Sequence, residues 1–161
     1  MDPVALHILC RELEDDARVL HEAAATARKR LDDPHPGHLE ACGFEINRVY
    51  NVIEKAFERV CVAFENHFEK RGDYHERLIE RVSLDLPGFR PAFLPAEWRV
   101  EIRDVKNFRH VFRHAYDLKL HAERLGPLVA TVEKLDSQFS AWIARFEQAA
   151  PAYRQPPETA L

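Results

Sequence analysis

Residues 46–68, INRVYNVIEKAFERVCVAFENHF, decide the fold class. Ile46, Val49, Tyr50, Ile53, Phe57, Val60, Cys61, Phe64 and Phe68 recur mostly at steps of three and four, with polar and charged residues between them. That period belongs to a helix with a wide apolar stripe and not to a strand, whose apolar positions alternate. Upstream, Leu6, Leu9, Leu13, Ala17, Leu20, Ala24, Ala27 and Leu31 keep the same spacing, and DDPHPGH at 32–38 separates the two segments. Downstream, KRGD ends the helix at Gly72, and a shorter amphipathic piece, YHERLIERVSL, follows.

Residues 85–95, DLPGFRPAFLP, hold three Pro and one Gly and cannot be helical throughout. Pro95 suits the first turn of another helix, with Glu97 favourable at its positive end. Leu128, Val132, Leu135, Phe139, Trp142 and Phe146 define the last segment, and Gly126-Pro127 mark its start or a kink near it. Their steps of four and three give a period near 3.5, which suits antiparallel packing. No alternation of period two occurs. The expectation is an all-α, antiparallel up-and-down four-helix bundle with one additional short helix. Residues 1–150 form one domain, and PAYRQPPETAL, 151–161, reads as a flexible tail.

A chain of 161 residues with 46% hydrophobic and 31% charged residues is long enough for one globular core. Its net charge of -4 excludes indiscriminate nucleic-acid binding by the whole molecule. One stretch opposes that balance: Trp98 to Arg124 carries seven Lys/Arg against four acids, with three His. Three widely spaced Cys without a CxxC fit neither a disulfide framework nor a thiolate zinc site, and Cys61 falls on the apolar stripe. No apolar run reaches membrane-spanning length, and the N-terminus turns acidic at once, unlike a signal peptide. A soluble, cytoplasmic protein is expected, with no membrane contact.

The chemistry concentrates in RHVFRHAY, residues 109–116. On a helix, Val105, Phe108, Val111, Phe112, Ala115 and Leu118 gather towards the core, whereas Arg109, His110, Arg113, His114, Tyr116 and Asp117 share the opposite side. Arg109 and Tyr116, seven apart, align to within about 20°, while Arg109 and His114 stand about 140° apart. Either the helix distorts, or a second copy of the chain completes the site. A symmetric dimer packing this face on itself is the more economical solution. These residue types suit RNA cleavage. An imidazole takes the proton of the attacking 2'-hydroxyl or supplies one to the leaving 5'-oxygen, and a guanidinium stabilises charge building on phosphorus. No metal or other cofactor is needed.

Arg109-x4-His114-x-Tyr116 resembles the R-x4-H-x-Y signature of HepT-like toxins in the HEPN superfamily of small all-α proteins. His110 fits the polar position after the Arg in the wider superfamily pattern. The resemblance implies a metal-independent endoribonuclease toxin acting as a homodimer, with Arg109 and His114 of both protomers lining a cleft. It further implies His110 as an auxiliary polar group, with Arg113 beside it as an RNA-binding cation. The implied partner is a minimal nucleotidyltransferase antitoxin that attaches AMP to Tyr116. The alternative is a non-catalytic HEPN module that binds a nucleotidyltransferase, and a plain helical scaffold stands behind both. His110 and His114 also have the spacing of two helical zinc ligands, but HVFRH lacks the Glu of that motif. His35 and His38 read as turn residues, and His67 and His75 as surface residues.

Overall fold

The computed structural model describes residues 2–65, 72–114 and 119–154. Five α-helices account for most of them: α1 (Pro3–Leu31), α2 (His38–Glu65), α3 (Tyr74–Val82), α4 (Arg99–His114) and α5 (Ala122–Ala149). The four-plus-one helix pattern is therefore as expected. Among the described residues the only β-type pairing is an isolated bridge between Leu86 and Arg90. Phe68, Ala115 and Leu118, assigned above to apolar faces, lie outside the described residues.

Interhelical pairs fix the up-and-down order. On α1, His21 and Arg28 meet Asp136 and Glu133 of α5, so the two helices run antiparallel. Arg59 of α2 reaches back to Glu12 and Asp16, whereas Arg48 reaches Glu22, which makes α1 and α2 antiparallel as well. On the far side, the Gly43 backbone faces Phe112 while Asn51 faces Arg109, so α4 runs against α2. A Cβ at Gly43 would stand 2.7 Å from Phe112 Cε2, so any larger residue would push that ring aside. The missing side chain lets the C-terminal half of α4 lie close on α2.

The 32–38 break is tied down locally. Asp33 accepts hydrogen bonds from the His35 amide and ring, and these bonds hold its carboxyl down at about 2. The His38 Nδ1 bonds the Arg30 carbonyl, so both histidines serve the turn.

The strap between α3 and α4 is irregular, as its three prolines dictate, but it is not superficial. Phe93 and Leu94 are fully buried, and the Phe93 ring meets Phe57, Phe139 and Phe146 edge-on at 5.4–6.1 Å between centroids. Edge-to-face contacts of this kind add to the area buried. Arg90, in the same strap, is fully buried too. Its guanidinium donates to Glu65 and to the carbonyls of Arg81, Leu84 and Pro91, so its charge and every oriented donor are used.

The last helix begins earlier than its punctuation implied. Gly126 and Pro127 lie inside α5, which is capped at His121. Burial of Leu125 extends the apolar stripe one turn upstream, and Pro127 sits near enough to the start that its missing N–H costs a single bond. After α5 the chain makes a 3-10 turn, Ala150–Arg154, in which the Tyr153 hydroxyl donates to Asp85. No helix among the described residues is long and apolar enough to cross a membrane.

Candidate active-site groove

Helix α4 follows a 3-10 turn, Ala96–Trp98, capped by Pro95, and it carries Glu101 in its first turn. Ile102 and Val105 are fully buried, and Phe108 and Phe112 stack on each other at 5.5 Å, half-buried. Those four residues form the packed stripe. Val111, expected on that stripe, is 48% exposed, because the helix meets α2 along its Phe112 side and leaves the Val111 side open.

The opposite side of α4 forms one wall of an open groove of about 610 Å³. Lys106, Arg109, His110, Arg113 and His114 line it from α4, and Gly72, Asp73, His75 and Glu76 line it from the start of α3. The four described motif residues thus share one depression. Arg109 and His114, five residues apart on α4, both line it, across from the start of α3 at 72–76. The His110 and His114 rings lie 4.8 Å apart, tilted by 50°, and both side chains are exposed. Tyr116 lies outside the described residues.

Arg109 is packed against a neighbouring helix and not turned out to solvent. Its side chain is only 14% exposed and folds back on α2. Nε donates to Asn51 Oδ1 at 2.8 Å, a terminal nitrogen lies 3.5 Å from Glu54 Oε2, and the guanidinium carbon sits 5.3 Å from the centre of the Tyr50 ring. A cation over a ring face is attracted by the ring quadrupole. Arg109 is therefore held in one pose, with part of its charge already answered by a carboxylate.

Glu54 also engages His75, whose Nδ1 lies 3.0 Å from Glu54 Oε1 and 3.4 Å from the Tyr50 hydroxyl. His75 is half-buried, not the surface residue its loop position implied, with Tyr50 and Tyr74 against its ring. Burial pushes the His75 imidazole below its ordinary value, and the Arg109 and Lys106 cations push the same way against the opposing pull of Glu54. Tyr50, 1% exposed, has its phenol pushed well up by burial. On the facing wall, Glu76 takes hydrogen bonds from Arg103 and from Lys106, which lower its carboxyl. The lining holds three cations, Lys106, Arg109 and Arg113, against two carboxylates, Asp73 and Glu76, with three imidazoles between. Such a groove favours an anion and can exchange protons near neutral pH.

Asn51, Glu54, His75 and Lys106 were missed in the reading of RHVFRHAY. One signal existed: Asn51, Glu54 and Glu58 step by three and four beside Tyr50, a polar strip bordering the apolar face of α2. Among the described residues no group of three or more His, Cys, Asp or Glu is arranged to hold a metal ion.

No curated protein and no solved structure matches the chain. Residues 41–150 match the family described as HepT-like protein, and that span takes in all but the first three residues of α2, the helices α3 to α5, the strap and the whole described groove. With the match over most of its length and a helical bundle to carry it, this chain belongs to the HepT-like family of the HEPN superfamily.

Proposed function

We propose that the protein is the toxin of a toxin–antitoxin pair, a metal-independent endoribonuclease that works in the cytoplasm as a homodimer. The observation that carries the reading is the gathering of Arg109, His110, Arg113 and His114 into one open, cation-rich groove. Arg109, held rigid by Asn51 and Glu54, stabilises the charge that develops on phosphorus, because a preorganised guanidinium needs no rearrangement at the moment of reaction. His114 moves a proton, and His110 and Arg113 hold flanking phosphates. Two grooves meet across the dimer, so Arg109 and His114 act between protomers. The antitoxin is a nucleotidyltransferase that silences the enzyme by attaching AMP to Tyr116.

The test is RNA cleavage in the presence of chelator by wild type and His114→Ala. Wild type cuts, and the variant loses about 10²-fold or more, the share general acid–base catalysis contributes. Equal cleavage by both proteins removes His114 from the chemistry. An inactive wild type that binds the nucleotidyltransferase tightly supports the non-catalytic module instead, a reading favoured by the partial neutralisation of Arg109 by Glu54.

A further inference from the structure

The groove contains an imidazole that the R-x4-H pattern does not include. His75 comes from α3, the wall facing α4, and it lines the same depression as Arg109 and His114. Its environment is more defined than that of either motif histidine. The 3.0 Å approach of Nδ1 to the Glu54 carboxylate assigns the ring proton to Nδ1, because a carboxylate only accepts. Nε2 then carries a lone pair, and among the described residues it makes no hydrogen bond. Edge contacts with Tyr50 and Tyr74 fix the ring plane. A carboxylate behind an imidazole, setting tautomer and orientation, is the arrangement that makes a histidine a positioned base.

We infer that His75 is the general base of the groove, its Nε2 taking the proton from the 2'-hydroxyl of a bound RNA strand, oriented by Glu54. The inference rests on the ribonuclease reading above and assigns the two proton transfers to different helices. The 2'-oxygen attacks phosphorus as its proton passes to His75 Nε2. The bond from phosphorus to the 5'-oxygen breaks, and that oxygen receives a proton from the His114 imidazolium. The products are a 2',3'-cyclic phosphate and a free 5'-hydroxyl, with no oxidant, metal or further reactant in the balance.

The groups facing His75 favour its neutral form on balance. Burial and the Arg109 and Lys106 cations from α4 oppose protonation, while Glu54 and Glu58 from α2 favour it; Tyr50 of α2 and Tyr74 of α3 pack on the ring. A base must be neutral before it acts, and a lowered imidazole is neutral at physiological pH.

Three variants are compared in the full-length protein: His75→Ala, His75→Gln and His114→Ala, with melting temperature and helical content checked for each. Both His75 variants are expected to lose about 10²-fold in kcat on RNA. They also lose the acidic limb of the kcat/KM profile, which in wild type lies below about pH 6.5. Added imidazole restores part of the His75→Ala rate. His75→Gln keeps a side-chain amide for Glu54 but has no basicity, so full activity in that variant would reduce His75 to packing and overturn the inference. Normal cleavage by His75→Ala beside a dead His114→Ala also overturns it while leaving the ribonuclease reading intact. An inactive wild type removes the ribonuclease reading itself, and the base assignment falls with it.

Discussion

At the residue scale, the groove is organised around Glu54, which two of its lining side chains share. One oxygen faces Arg109 and the other His75, both from elements that α2 holds in place. The carboxylate pulls the His75 imidazole up, against burial and the nearby cations. Glu54→Gln removes that pull, so the His75 imidazole, already below its ordinary value, falls further. Histidine NMR followed over pH 4 to 8 measures this directly: the His75 signal titrates below about 6.5 in wild type and lower still in Glu54→Gln. The sign carries over to stability. A histidine lowered in the folded state binds fewer protons than in the unfolded chain, so the folded state weakens as pH falls below about 6.5 and the loss stops once the folded value is passed. An upward move in the variant would mean that the Glu54 carboxylate does not favour the charged imidazole, whereas a wild-type signal above about 6.5 would mean that burial does not dominate. Arg109, His110, Arg113 and His114 were legible in the sequence because they lie within two turns of one helix. Glu54 and His75 were not, because their meeting with Arg109 is a tertiary event between α2, α3 and α4.

At the element scale, the bundle was legible wherever the apolar period was long and unbroken. The end of α1 and the start of α2 follow from such runs on either side of DDPHPGH, while the expected end of α2 at KRGD falls partly outside the described residues. The strap at 83–95 shows the limit of that logic. Its prolines correctly deny it helical structure, yet composition gives no hint that Arg90 and Phe93 are among the most buried residues of the chain. Burial follows from where the strap crosses the bundle: Phe93 fills the space among Phe57, Phe139 and Phe146, and Arg90 satisfies the carbonyls that end α3. Arg145 of α5 clamps the strap from outside by donating to the Phe93 carbonyl at 2.9 Å. Arg90→Leu fills much of the same volume but takes a donor from the Arg81, Leu84 and Pro91 carbonyls and leaves Glu65 with Arg81 alone. Removing one partner of a buried charged pair costs about 3–5 kcal/mol, and Arg81 places this case near the lower figure. Urea unfolding monitored by circular dichroism reads the difference. A loss under about 1 kcal/mol would show that water replaces the guanidinium.

At the scale of the whole molecule, an acidic protein presents an open, cation-rich groove among its described residues. Beside it, on the other flank of α4, a second and apolar depression of about 400 Å³ lies between α4 and α5, lined by Phe108, Leu120, Leu125 and Leu128. The two depressions share Asn107 and Val111, so the exposed Val111 forms the ridge between them. A ridge of this kind, apolar and flanked by a hollow, suits packing against a symmetry-related copy, which would also bring two Arg109–His114 sets face to face. The proposed dimer then has a specific consequence for mixed populations. Arg109→Ala and His114→Ala are each inactive alone, but a mixed dimer holds one intact Arg109 and one intact His114 in the shared cleft. In an equal mixture about half of the dimers are mixed by chance, so combining the two inactive proteins restores a measurable share of wild-type cleavage. Val111→Glu places a charge on the ridge; light scattering then finds monomers, and the mixed experiment repeated in that background restores nothing. If mixing yields no activity while wild type is a dimer, the two grooves work separately and each protomer carries its own complete site.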